Sequence, residues 1–207
     1  MPQGTIAFAF ALLVLPACDG DDGSGGDTDA SVATGTGGGP GGGDAADQGP
    51  GDGAEDGSQS GECADGPLAA PIAGCAPAVL ASTGDPHQDC VDRINQLRWE
   101  CQCLPPLMRW NDAEGCTDDQ SSADQAGGGA HANFGSCNEF GQNTCPNWGS
   151  EAQVIDGCLQ SMWDEGPGEP FSAHGHYINM TNPDYTKVAC GFAGGGSGVW
   201  SNQNFSN

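Results

Sequence analysis

The chain has 207 residues, 11 cysteines and a formal net charge of -24, with only four lysine or arginine side chains. Such a surface repels the phosphates of nucleic acid and the anionic headgroups of a membrane, so nucleic-acid binding and electrostatic membrane binding are excluded as functions. All four basic residues lie beyond residue 92: Arg93, Arg98, Arg109 and Lys187.

Residues 1–18 have the pattern of an export signal. The apolar run at residues 6–15 has the length of a signal-peptide core and is too short to span a bilayer. Leu15-Pro16-Ala17-Cys18 resembles the processing box of bacterial lipoproteins, in which the cysteine sulfur receives a lipid. We therefore expect an exported protein of the cell envelope, held at a membrane by a lipid on Cys18. Cleavage of an ordinary secretory signal nearby is the alternative.

Residues 19–61 consist mainly of Gly, Asp, Ser, Thr, Ala, Pro and Gln. This composition cannot bury enough apolar surface to offset the entropy of ordering, so we expect a disordered acidic tether. Residues 62–84 are rich in Cys, Ala and Pro and predict a bridging segment, in which Cys63 and Cys75 are candidates to pair with each other.

Ten cysteines remain once Cys18 is assigned to the anchor, and an even set in an exported chain predicts up to five disulfides. A zinc site is the competing interpretation, but the Cys101-Gln102-Cys103 spacing fits a zinc knuckle poorly, so disulfides are favoured. The pairing stays open. The ten are Cys63, Cys75, Cys90, Cys101, Cys103, Cys116, Cys137, Cys145, Cys158 and Cys190.

The folded domain is predicted to cover residues 85–207. Asp85-Pro86-His87-Gln88 predicts a helix start with Asp as N-cap, Pro at the first position and Gln reaching back. One apolar helix face follows at spacings of four, three and four, and Leu104-Pro105-Pro106 ends the helix. The residues of this face are Cys90, Ile94, Leu97 and Cys101.

Asn111-Asp112 predicts the cap of a second helix that runs to about Ala126, and residues 127–149 are predicted to form a loop. Ser150-Glu151-Ala152-Gln153 is a second capping box. A helical apolar stripe follows it, made of Val154, Ile155, Cys158, Leu159 and Met162.

Residues 188–193 and 199–205 predict two strands of a hairpin, separated by a glycine-rich turn. The order helix, helix, loop, helix and strands predicts a layered α/β or α+β domain with one core.

Five segments then form an ordered set of motifs over about residues 85–207. They are Leu104-Pro105-Pro106-Leu107 with Trp110-Asn111-Asp112, His131 followed by Gly141-Gln142-Asn143, Met162-Trp163-Asp164-Glu165, residues 175–191 beginning Gly-His-Tyr, and Trp200-Ser201-Asn202-Gln203-Asn204-Phe205. In this order they resemble the CAP superfamily, which comprises cysteine-rich secretory proteins, antigen 5 and pathogenesis-related proteins.

The resemblance implies a disulfide-stapled α-β-α sandwich with a groove that contains two histidines and two acidic residues. In this chain those positions are His131, Gln142, Glu165 and His176, with Asn143 and Asn179 also in the groove. The implied metal ligands are His131, His176 and Glu165, and the implied cofactor is zinc or another divalent cation.

Gln142 departs from the family pattern, because an amide stands where the family has a glutamate. An amide oxygen is neutral and cannot take a proton, so an acid/base role at this position is lost. Neighbouring alternatives for the groove residues are Glu139, Asp164 and His174.

The resemblance also implies an extracellular module that acts by binding, with lipids, sterols and other proteins as ligands. We therefore expect a ligand-binding module without catalysis. One alternative is a zinc-dependent hydrolase built on His131, His176 and Glu165, and another is a purely structural or adhesive surface module.

Overall fold

The computed structural model describes residues 63–207. The predicted export signal, the anchor at Cys18 and the tether at 19–61 lie outside the described residues. Within residues 63–207, no helix is long and apolar enough to cross a membrane.

The described chain alternates helices with short strands. The elements are α1 (Pro86–Gln102), β1 (Met108–Arg109), α2 (Asn111–Ala123), β2 (Gly141–Trp148), α3 (Glu151–Gln153), α4 (Leu159–Asp164), α5 (Phe171–Thr181), β3 (Lys187–Gly195) and β4 (Gly198–Ser206). Two π-helical turns extend them: Asp124–Gly128 continues α2, and Val154–Cys158 joins α3 to α4.

Helix α1 begins as predicted, with the Asp85 side chain accepting a hydrogen bond from the main-chain N of His87 at 3.1 Å and Pro86 at the first position. The prediction that Gln88 reaches back is wrong, because its amide donates to Asp92 instead. The helix ends where Cys103 adopts a left-handed conformation with φ 56°. Its predicted apolar face is fully buried, which confirms the periodicity.

Helix α2 and the segment after it differ from prediction. Its N-cap is Trp110, without a side-chain hydrogen bond, so Asn111 does not cap the helix. The α-helix ends at Ala123 rather than near Ala126, and a π-helical turn follows. The predicted loop is wrong in its second half, because Gly141–Trp148 is a strand.

Ser150 caps the next helix as predicted, since the main-chain N of Gln153 donates to its hydroxyl at 3.2 Å. The return hydrogen bond of a capping box, from the main-chain N of Ser150 to the Gln153 side chain, is not formed within residues 63–207. The apolar stripe after it is buried. A further helix, Phe171–Thr181, was not predicted.

The four strands form one sheet in the order β1-β3-β4-β2. Strands β3 and β4 form the predicted antiparallel hairpin, with Gly195 opposite Gly198, and β2 is an antiparallel edge strand beside β4. Helix α2 lies on one face of the sheet. It packs so closely on Gly191 that a Cβ at this position would collide with the main chain of Thr117. Cys190 points to the other face and joins α1 through Cys90. Helices on both faces of a central sheet confirm the predicted layered α/β fold.

The two interlayer spaces differ in chemistry. The side that contains α1, α4 and α5 is apolar, with Ile94, Leu97, Leu159, Met180 and Phe205 fully buried. The α2 side is polar and hydrogen-bonded; its buried residues include Thr117, Gln120, Ser121, Asp124, Gln142, Asn202 and Asn204.

All ten cysteines form disulfides, which confirms the predicted count. The pairs are Cys63–Cys103, Cys75–Cys101, Cys90–Cys190, Cys116–Cys137 and Cys145–Cys158. The predicted pairing of Cys63 with Cys75 is wrong. The bridging segment lies along the end of α1, where Cys63 bonds to Cys103 and Cys75 bonds to Cys101.

Candidate functional site

The first half of the candidate site is a hydrogen-bonded pair formed by His131 and Gln142. The His131 Nδ1 lies 2.8 Å from the Gln142 Oε1. His131 has φ 65°, a left-handed conformation that costs a non-glycine residue about 1–2 kcal/mol. The contact with Gln142 helps to hold this unfavourable backbone, and such strain is frequent at functional sites.

A buried amide network orients Gln142, whose residue is 5% exposed. Its Nε2 donates to the Gln120 Oε1 at 3.1 Å and to the Asn204 Oδ1 at 2.9 Å. With the amide nitrogen satisfied there, only the oxygen faces His131. Gln120 and Asn204 were not identified from the sequence. The sequence feature that could have identified Gln120 is a polar stripe on α2, in which Thr117, Gln120 and Ser121 lie on one helix face.

The second half of the site is the pair of Glu165 and His176. The His176 Nδ1 lies 2.5 Å from the Glu165 Oε1. The other carboxylate oxygen of Glu165 accepts from the main-chain N of His176 at 3.0 Å and of Tyr177 at 3.4 Å. Glu165 therefore binds the first turns of α5 to the end of α4, and both of its oxygens have N–H partners. Burial raises the pKa of the neighbouring Tyr177 phenol, which donates to Gln102.

Edge strand β2 connects the two pairs. The Asn143 amide donates to the main-chain O of His176 at 3.1 Å, and the Asn179 amide donates to the main-chain O of Gln142 at 3.2 Å and to the Asn143 Oδ1 at 2.9 Å. Gln142 and Asn143 are consecutive strand residues, so their side chains point to opposite faces of the sheet. The structure thus brings all six predicted groove residues into one hydrogen-bonded group around the edge of the sheet.

The approach of α5 to β2 depends on a glycine. A Cβ at Gly141 would lie 2.7 Å from the Tyr185 hydroxyl and 2.9 Å from the Asn179 Oδ1. Since real Cβ atoms do not approach other atoms this closely, a side chain at position 141 would push the edge strand away from Asn179.

The three neighbouring alternatives have other contacts. Glu139 is buried and accepts from Gln120 and from two main-chain N–H groups of its own loop. Asp164 accepts from Gln160 on the exposed face of α4. The His174 Nδ1 lies 2.7 Å from the main-chain O of Glu165, so this ring closes the end of α4.

The donor set does not match a three-ligand metal centre. Within residues 63–207, no group of three or more His, Cys, Asp or Glu side chains is arranged to hold a metal ion. Both oxygens of Glu165 already accept from N–H groups, which leaves two imidazoles, whereas zinc centres use three or four protein ligands. Glu165 acts here as the partner of His176, and cation binding stays a prediction.

The geometry determines what the two rings present to a ligand. The Gln142 oxygen and the Glu165 carboxylate accept hydrogen bonds, so each neutral ring carries its proton on Nδ1. The Nε2 of each ring then has a lone pair, and within residues 63–207 neither Nε2 has a hydrogen-bond partner. Each ring can therefore accept a hydrogen bond from a ligand hydroxyl or amide group, or contribute one bond to a cation.

Comparison with protein families agrees with the fold. The family model described as "CAP: Cysteine-rich secretory protein family" matches residues 91–205. A solved structure described as "Structure of BmVAL-1" is 16% identical, covers 64% of this chain and 81% of that chain, and gives a TM-score of 0.46. No curated protein matches the chain.

Proposed function

Because the chain belongs to the CAP family of cysteine-rich secretory proteins, we propose that it is an exported ligand-binding module whose ligand contacts His131 and His176. Family membership supports an extracellular binding role. Five disulfides support export, since such bonds persist in oxidising compartments.

The observation that carries the proposal is that the two imidazole rings are held in the same way. Each Nδ1 is held by a side-chain oxygen, and each Nε2 is left as an acceptor within the described chain. A pre-oriented imidazole loses little entropy when it binds, so two such groups favour a ligand with suitably spaced hydroxyl or amide donors. If a divalent cation binds, His131 and His176 would hold it through Nε2, and water or the ligand would have to supply its remaining bonds.

The experiment is a comparison of three alanine variants of the oxidised protein: His131→Ala, His176→Ala and, as control, His174→Ala. Native mass spectrometry of small molecules that copurify, with equilibrium dialysis against Zn²⁺, measures occupancy. We expect loss of bound ligand or cation in the first two variants and retention in the control. Equal occupancy in all four proteins contradicts the proposal, and turnover of peptide, ester or lipid substrates by the wild type alone would favour the hydrolase alternative.

The lipid anchor is a separate part of the proposal. A lipid on Cys18 and an acidic tether at residues 19–61 would hold the domain away from a membrane surface, because like charges along a glycine-rich segment would repel one another and favour extension. Membrane fractionation of Cys18→Ser in the native host tests this: we expect the variant to move to the soluble or secreted fraction. An unchanged membrane fraction contradicts the anchor but leaves the groove proposal intact.

A further inference from the structure

A second concave surface lies away from the histidine pairs, where residues 63–84, which we name the strap, lie along α1. Two disulfides attach the strap to the end of α1, and α1 side chains hold its main chain: Arg93 donates to the main-chain O of Pro77, and Gln96 to that of Ala78, each at 2.8 Å. The strap precedes residues 91–205, so this surface includes residues that the family match does not.

The strap, the start of α1 and the α3 region enclose a cleft of about 420 Å³. Its apolar wall contains Ile155 and the strap residues Val79 and Leu80, which are 38% and 55% exposed. A single exposed leucine is ordinary, but adjacent apolar side chains that face a concave space on a fixed segment form a binding surface. The volume lies in the range of small binding sites.

Carboxylates surround this apolar wall. Asp89, Asp92, Glu151 and Asp156 line the cleft. Burial opposes ionisation of Asp89, but hydrogen bonds from Ser82 and Thr83 hold the pKa of its carboxyl below the usual value. Glu151 and Asp156 are exposed and make no hydrogen bond through their carboxylates within residues 63–207.

Arg93 is the one basic residue among those that line the cleft, and its guanidinium is buried against the strap and α4. The residue is 3% exposed, and its terminal nitrogens donate to Pro77, Gln96 and Gln160. Its Nε is buried without an acceptor within residues 63–207. A buried donor without a partner is rare.

We infer that this cleft binds a basic segment of a partner polypeptide, with one bulky apolar side chain against Val79 and Leu80 and lysine or arginine side chains beside the four carboxylates. Several carboxylates lie around one apolar wall. A segment with several cationic side chains around one apolar side chain matches this arrangement better than a small molecule with a single amine does.

The basic segment must come from another protein. Residues 19–61 contain acidic residues and no lysine or arginine, so they supply no basic segment. A second copy of this chain offers no basic segment either. Arg93 and Arg98 are buried, Arg109 is paired with Asp85 and Glu114, and the Lys187 ammonium lies 4.6 Å from the Trp110 ring centroid.

Fluorescence anisotropy with the full oxidised chain tests the inference. The probe is a labelled peptide, Lys-Lys-Leu-Lys-Lys, and the control peptide has serine in place of leucine. At about 0.15 M salt we expect the leucine peptide to bind about fivefold or more tightly than the serine peptide, because only the leucine side chain removes apolar surface from water when it packs on Val79 and Leu80. Equal binding of the two peptides overturns the inference.

Matched variants separate the cleft from the general negative charge of the protein. Glu151→Gln/Asp156→Asn removes two cleft carboxylates, and Asp112→Asn/Asp119→Asn removes two exposed carboxylates of α2. We expect about a fivefold or greater loss of affinity in the first double variant and less than a twofold loss in the second. Equal losses overturn the inference, because they assign the binding to net charge.

Two further results locate the contact. Leu80→Ser should lower the affinity for the leucine peptide to that for the serine peptide. His131→Ala should leave the affinities for both peptides unchanged. Failure of the histidine site would therefore not imply failure of the cleft. Displacement of the probe by leucinamide at a concentration similar to that of unlabelled peptide overturns the polypeptide assignment. Circular dichroism and thermal unfolding confirm that each variant is folded.

Discussion

Glu165 and His176 are bound to each other through two different groups of the histidine, the ring Nδ1 and the main-chain N. One carboxylate therefore sets the rotation of the ring and also attaches the helix from which the ring projects. Such double attachment limits the movement of the Nε2 relative to β2, since the main-chain O of the same residue accepts from Asn143. The site depends on pre-orientation of its side chains.

Removal of this carboxylate should destabilise the fold. In Glu165→Ala, the ring and main-chain N–H groups at the start of α5 lose a charged acceptor, and we expect the free energy of unfolding to fall by about 2–3 kcal/mol. Guanidinium denaturation of the oxidised protein measures it. Asp164→Ala, at the exposed neighbouring position, is the control and should cost less than about 0.5 kcal/mol. Similar losses for the two variants would show that Glu165 is not a structural partner of His176.

A carboxylate at position 142 should not simply restore the family pattern. Gln142→Glu replaces an amide that donates to Gln120 and Asn204, so a carboxylate oxygen would face two acceptor oxygens in a buried space. We expect a loss of about 1–3 kcal/mol in the free energy of unfolding at pH 7.

The pH dependence of the stability of Gln142→Glu provides the control. A protonated carboxyl can donate a hydrogen bond, so the difference from the wild type should shrink when the pH is lowered from 8 to 5. A variant as stable as the wild type at pH 8 would mean that Gln120 and Asn204 reorient freely, and that the amide network does not select glutamine.

Gly191 should not tolerate a side chain. A Cβ at this position would lie 2.6 Å from the main-chain N of Asp118 and even closer to the main chain of Thr117, so α2 would have to move off the sheet. We expect Gly191→Ala to lose about 2 kcal/mol or more in the free energy of unfolding. Gly194→Ala, in the same strand but with open space at its Cβ, is the matched control. Equal stability of the two variants would contradict the close packing of α2 on β3.

Acid should selectively weaken the attachment of the strap through Asp89. Hydrogen bonds from Ser82 and Thr83 hold the pKa of Asp89 below its usual value although burial opposes this. A carboxyl with a lowered folded-state pKa contributes stability above its unfolded pKa of about 3.9, and that contribution is lost as the pH falls through the folded value. Asp89→Asn should therefore be less stable than the wild type at pH 6, and the difference should shrink towards pH 3. A difference that does not vary with pH contradicts this role.

Much of the site could be predicted because its residues lie in short local motifs. His131, Gly141-Gln142-Asn143 and the Gly-His-Tyr segment were identified in order, and the structure brings them into one hydrogen-bonded group. The role of Glu165 could not be predicted in this way. A carboxylate near two histidines suggests a metal ligand, and only the backbone of α5 shows that its oxygens have N–H partners.

Strand β2 was not predicted, for a related reason. Local rules recognise a strand by alternating apolar residues, but Gln142, Asn143 and Thr144 are buried polar residues at the sheet edge. The burial of Gln142 and Asn143 is possible because α2 and α5 supply hydrogen bonds from the two faces, and no local pattern encodes that supply.

The sequence by itself determined the acidic character of the chain, the ten cysteines that follow Cys18, the start of α1 and the β3–β4 hairpin, because each of these follows from composition or from residues close in the chain. Only the tertiary structure decided which cysteines pair, why Glu165 faces His176, and that the strap forms an acidic cleft with α1 and α3. These relationships join residues that are distant in sequence, so they depend on how helices pack on the sheet rather than on local conformational preference.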